Sequence, residues 1–141
     1  MATASAVGVS VITSHLLVFN VTASGTLYTD MPDTVDASGG DNFTYSWNLR
    51  DNSLNDLNFT VTVSVDGVST NDVKINLLDN ESNLIASSLT GSLTKEFQVK
   101  GNSWLYSGSD GKVEIQFNQS IAPGTYNLHF NISAGQFDWR I

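Results

Sequence analysis

The chain has no cysteine among its 141 residues. Thiol catalysis, disulfides and cysteine-based zinc or iron–sulfur sites are therefore excluded. The redox compartment stays open, because exported proteins often lack cysteine as well. Cations are also scarce. Four Lys and two Arg face 14 acidic residues, for a net charge of −8 and a pI near 4.3. That balance argues against a nucleic-acid partner, which needs a basic face. It argues equally against a basic membrane-surface helix. The longest strictly apolar run is Leu16–Phe19, so no membrane-spanning segment is expected. Met1–Ala6 is small and neutral, without the basic and apolar regions of a signal peptide. Three explanations stay open: no such signal is used, the chain is a mature form, or a start Met replaced the signal.

Helix formers are few. Ala, Glu, Lys, Gln, Arg and Met total 23, against 47 β-branched and aromatic residues. Propensity therefore favours strand. Charged residues make up only 14%, where an average domain has about 25%. Ser, Thr and Asn, 45 in all, take their place. Four segments alternate apolar and polar residues with period two: Asn42–Leu49, Asn58–Asp66, Lys112–Asn118 and Thr125–Ser133. That is the pattern of strands with one dry face and one wet face. Shorter runs at Asp72–Leu78, Leu84–Ser88, Thr94–Val99 and Gln136–Ile141 complete the set. Turn residues separate them, as at Asp66-Gly67, Asp79–Asn83, Lys100-Gly101-Asn102, Asp110-Gly111 and Pro123-Gly124. The expectation is an all-β fold, a single antiparallel β-sandwich of jelly-roll-like type.

The first 24 residues differ from the remaining 25–141. Val7, Val9 and Val11 alternate with small residues, and His15–Phe19 is apolar on both faces. A strand apolar on both faces must be covered on both sides. Three readings follow. The segment is a central strand of its own sheet, it completes a neighbouring subunit by strand donation, or it is the remnant of a truncated signal. In the second reading Val7, Val9, Val11, Leu17, Phe19 and Val21 form the subunit interface.

Little in the sequence looks catalytic. His15 and His129 are the only histidines, and neither is spaced for a triad or a multi-histidine metal site. Glu81, Glu96 and Glu114 are the only glutamates, and they show no paired-carboxylate site. No enzymatic activity and no obligatory cofactor are expected. Asp30, Asp33, Asp36 and Asp41, with Gly39-Gly40 among them, form an acidic loop that offers oxygen ligands of the kind calcium takes. Asp72 and Asp79 are a second acidic candidate. Six Asn-x-Ser/Thr sequons occur, at Asn20, Asn42, Asn58, Asn80, Asn118 and Asn131. Alternation places Asn42, Asn58, Asn118 and Asn131 on wet faces, where a glycan could attach. Trp47 and Trp139 fall at core positions. Trp104, in a Gly- and Ser-flanked loop with Tyr106 beside it, is the expected exposed aromatic and a candidate sugar platform.

The stretch Asp72–Ser88, with its Asp-led apolar strand, its Asp79–Asn83 turn and the following Leu84-Ile85-Ala86-Ser87, resembles the pre-peptidase C-terminal (PPC) domains of secreted proteins. Pro123-Gly124-Thr125-Tyr126 is similar to the opening of a later strand in that family. The likeness covers about residues 43–133. Asn80 stands where Pro is usual, Ser82 where the turn Gly is usual, and Lys74 where a second Asp often sits. The resemblance implies a jelly-roll-like sandwich in an exported protein. In character the chain also resembles subunits of archaeal surface filaments (threads and bundling pili) that assemble by strand exchange. That likeness implies a glycosylated extracellular polymer of copies of this chain. The competing expectations are a PPC-like accessory module binding carbohydrate or calcium, and a virion decoration or capsid protein.

Overall fold

The computed structural model describes residues 25–134, together with the backbone of residues 10–13. Eleven strands occur in it: β1 Ser10–Thr13, β2 Gly25–Thr29, β3 Thr34–Ala37, β4 Asn42–Asp51, β5 Leu57–Val65, β6 Val73–Leu78, β7 Leu84–Ser88, β8 Ser92–Val99, β9 Ser103–Trp104, β10 Gly111–Phe117 and β11 Gly124–Ala134. No helix is found among the described residues, so none there could cross a membrane. The strands form two sheets packed face to face. The first has the order β3-β1-β11-β5-β8; the second has the order β2-β4-β10-β6-β7, with β9 pairing on β4.

The expected antiparallel sandwich is what the chain forms, with one local departure. Every pairing is antiparallel except β1 with β11, which run parallel from Ser10↔Gly124 to Thr13↔Asn127. Among the described strands the chain changes sheet at every connection except β6 to β7 and β9 to β10. Three connecting turns, β5–β6, β6–β7 and β8–β9, need unusual backbone. Asn71, Ser82 and Asn102 have positive φ, at 74°, 66° and 56°. Asn tolerates that region, whereas Ser does so at a cost.

Alternation builds the core. Phe59, Val61 and Val63 on β5, Leu128 and Phe130 on β11, and Val113 and Ile115 on β10 are fully buried. Trp47 on β4 lies between the sheets, with its ring centroid 5.3 Å from Phe97 and 6.2 Å from Phe130. Each such large side chain contributes about 1.5–3 kcal/mol by leaving water. The outer face of the second sheet carries a polar row in register: Thr44, Glu114, Asn76 and Ser87. Ser87 Oγ donates to Asn76 Oδ1 at 2.7 Å, and Asn76 Nδ2 donates to Glu114 Oε1 at 3.1 Å.

Three elements correct the sequence reading. The acidic segment is not all loop, because Thr34–Ala37 pairs with β1 as β3. Trp104 lies on the short strand β9. Asn48, which alternation assigned to the wet face, is buried. The segment after β9 folds over that face and covers it. Asn48 Nδ2 donates to the Tyr106 carbonyl and to Asp110 Oδ1, both at 2.9 Å. Asn48 Oδ1 accepts from Leu49 N and Tyr106 N. With four hydrogen bonds, this side chain's burial is stable.

Candidate functional site

Two features of the surface bear on function: the place of β1 and the distribution of the sequons. β1 lies inside the first sheet, flanked by β3 and β11. It is the only sheet partner of β3 among the described strands. Without β1, β3 would lose its ladder, and β11 would present an unpaired edge over Gly124–Asn127. Unpaired backbone of that kind is a template for another strand. Of the proposed interface residues, Val11 falls in β1 and pairs with Thr125 and Asp36. Val7, Val9, Leu17, Phe19 and Val21 lie outside the described residues.

Asn42, Asn58, Asn118 and Asn131 are all exposed. Asn42 opens β4, Asn58 lies on the outer face of β5, and Asn131 on that of β11. Asn118 is exposed for a different reason from the one alternation gave. β10 ends at Phe117, and Asn118 begins the next turn. Its Nδ2 donates to the Asn71 carbonyl at 3.0 Å, and its Oδ1 accepts from Ser120 N and Oγ. Asn80 is partly buried in the β6–β7 turn, where its carbonyl accepts from Ser109 Oγ at 3.3 Å. Asn20 lies outside the described residues, as do His15 and Trp139.

The aspartates serve mainly to fix turns. Asp30 Oδ1 accepts from Ser46 N, and Asp41 Oδ2 accepts from Ser38 N, each at 2.8 Å. Asp36 sits on β3, and Asp33 is exposed. Asp72 Oδ2 accepts from Ser69 N at 2.8 Å. Asp79 closes the β6–β7 turn. The backbone N–H groups of Asn83 and Glu81 hold its carboxyl below the usual carboxylate range. Among the described residues, no three His, Asp or Glu side chains come together as a metal-holding group. His129 Nε2 lies 2.7 Å from Asp66 Oδ2 at the surface.

The expected exposed aromatic does form part of a cleft. Trp104 and Tyr28 are 43% and 40% exposed. With the half-buried Tyr106 they line a hollow of about 470 Å³ on the outer face of the second sheet. Burial pushes the Tyr106 phenol up to about 12, and the charge of Asp79 adds to the shift. Tyr28, Asn48 and Asp110 belong to the same hollow but were missed in the sequence. Tyr28 reaches it by standing opposite Asn48 in the β2–β4 register. Only the Asp110-Gly111 turn signal hinted at any of the three.

No family model matches the sequence, and no curated protein matches it. Among solved structures, the chain is similar to a family 123 glycoside hydrolase from Clostridium perfringens, whose structure was described with glycolipid glycan hydrolysis. The TM-score is 0.42 at 19% identity, over 72% of this chain and 20% of that one. This chain thus spans about one fifth of the length of that enzyme.

Proposed function

We propose that the chain is a non-catalytic structural subunit of an extracellular, N-glycosylated cell-surface filament, assembled by strand donation between copies. The single observation that carries the reading is the position of β1: a short N-terminal strand, between β3 and β11, in the only parallel pairing described. A segment exchanged between identical copies makes the same contacts in a neighbour as in its own chain. Main-chain pairing supplies affinity, and alternate apolar side chains supply register. Such a contact is head-to-tail and does not close, so it propagates a fibre. Exposed sequons on the outer faces support the glycosylated part of the reading. Few surface charges and many hydroxyl and amide groups suit a surface that carries glycans.

The test is removal of residues 1–21, followed by negative-stain electron microscopy and intact-mass measurement beside the native protein. The native protein should form uniform fibres with mass above 15.2 kDa in glycan-sized steps. The shortened chain should be a soluble monomer that takes up a synthetic peptide of residues 7–21. Fibres that survive the deletion, or native monomers at the bare polypeptide mass, overturn the reading.

A further inference from the structure

We propose that the aromatic hollow beside β9 binds a neutral oligosaccharide, independently of how the chain assembles. The register brings the parts together. On the outer face of β4, Asn48 stands opposite Tyr28, and Arg50 opposite both Thr26 and Trp104. The segment after β9 then turns over this face and is fixed by three hydrogen bonds of Asn48, to the Tyr106 N–H and carbonyl and to Asp110. The walls of the hollow are therefore set before any ligand arrives, which lowers the entropic cost of binding. A volume of about 470 Å³ lies within the ordinary range of small-ligand sites. Gly108, at φ 93° with open space around it, keeps one rim clear.

The chemistry selects the ligand class. Trp104 and Tyr28 offer apolar ring faces to the C–H face of a sugar. Asp110 gives one oxygen to Asn48, and its Oδ2 has no hydrogen bond among the described residues. That oxygen accepts from hydroxyl groups, with the strength of a charged acceptor. It repels anions, and no Lys or Arg lines the hollow to offset it. A cationic ligand is disfavoured too, because the Arg50 guanidinium already lies 6.0 Å from the Trp104 ring centroid. A proline-rich peptide offers mainly carbonyl acceptors, which a carboxylate cannot bind. What remains is a neutral ligand with one apolar face and many hydroxyl donors.

The ligand should be longer than one ring. Trp104 also lines a second hollow, of about 520 Å³, together with Gln98 and Lys100. A chain of sugars laid across Trp104 would fill both. One source is close at hand, since Ser109, which lines the first hollow, donates to the carbonyl of sequon residue Asn80. The other source is a free polysaccharide.

The experiment titrates protein made without glycosylation with linear hexasaccharides of glucose, N-acetylglucosamine and mannose. The readout is the Trp104 indole N–H resonance. At least one hexasaccharide should shift it at millimolar concentration or below. Trp104→Ala should weaken binding about ten-fold or more, and Trp104→Phe should recover most of the loss. Glycosylated protein from the native source separates the two origins of the sugar. Binding by both forms points to a free polysaccharide. Binding by the unglycosylated form alone points to the chain's own glycans already in place, and Asn80→Gln should then restore it. Three results overturn the proposal: no shift with any hexasaccharide, equal affinity in Trp104→Ala, or tighter binding of tetramethylammonium or a proline-rich peptide.

Discussion

Replacing Gly111 by Ala should be one of the most damaging single-methyl additions this fold can receive. Gly111 opens β10 and stands opposite Trp47 in the register. A Cβ there would lie 2.7 Å from Trp47 Nε1, 2.8 Å from the Leu78 carbonyl oxygen and 2.9 Å from Tyr106 Cε2. None of the three can easily give way. Trp47 is fully buried, the Leu78 carbonyl belongs to a paired strand, and Tyr106 is held through Asn48. The same methyl would wedge between the indole N–H and its acceptor, Leu78 O, now 3.3 Å apart. Overpacking costs about 1–3 kcal/mol, and a buried N–H deprived of its partner costs a similar amount. Their partial overlap gives about 3 kcal/mol in total. For a chain of this length that is a fall in Tm of roughly 10 °C. Circular dichroism melts of the monomeric protein read it directly, and tryptophan emission should shift to the red as Trp47 is displaced. Gly124→Ala is the control, because its added methyl would meet nothing closer than the Tyr126 ring at 3.9 Å. It should move Tm by less than about 3 °C. If Gly111→Ala melts with the control, the account of Trp47 as a rigid wedge is wrong.

Further outcomes follow from other sites. Ser82→Gly should stabilise the fold by about 0.5–1 kcal/mol, seen as a raised Tm, because φ of 66° costs a side chain that glycine lacks. Asn48→Ala should cost about 2–4 kcal/mol, read by denaturant melts, since it strands the Tyr106 N–H and carbonyl together. It should also raise hydrogen exchange in the segment after β9. The Tyr106 phenol titrates near pH 10 when unfolded and at about 12 when folded. The folded state therefore holds its proton longer, and stability falls as pH rises from 10 toward 12. Tyr106 is half exposed, so the loss is on the order of 1 kcal/mol after allowing for solvent screening. Tyr106→Phe should flatten that part of the stability–pH curve. It should also remove one late-titrating phenol from an ultraviolet titration.

The long strands were legible because their side chains obey one rule over many residues. β5 and β10 alternate without a break, so their buried faces could be named from the sequence. β3 was not legible, because its four residues include Asp36 and its strand character comes from pairing with β1. β2 failed for a related reason. Gly25 is buried because the Phe59 ring occupies the space where a side chain would stand, and nothing local to Gly25–Thr29 encodes that. The exposed sequons on β4, β5 and β11 followed from alternation alone. The cleft was half legible. Trp104 stood out by its Gly- and Ser-rich surroundings, whereas Asn48 looked like one more wet-face residue. Its burial depends on a segment 58 residues away in sequence, folding back over it.

The pairing of β1 with β11 has a consequence for the order in which the molecule is made. Ser10 and Gly124 face each other across 114 residues of chain, the difference of their numbers. Joining such distant points costs about 4 kcal/mol of loop entropy before any contact repays it. Synthesis adds a delay, because β11 leaves the ribosome after the other ten described strands. Throughout that interval β1 has only β3 to pair with. Contacts of such long range are the slow ones in folding. A new chain thus passes through a state with a free leading strand and an unfilled seam, and local concentration decides what fills it. In isolation the chain's own strand closes the seam. Under the proposed strand donation, a neighbour's strand competes for the same place.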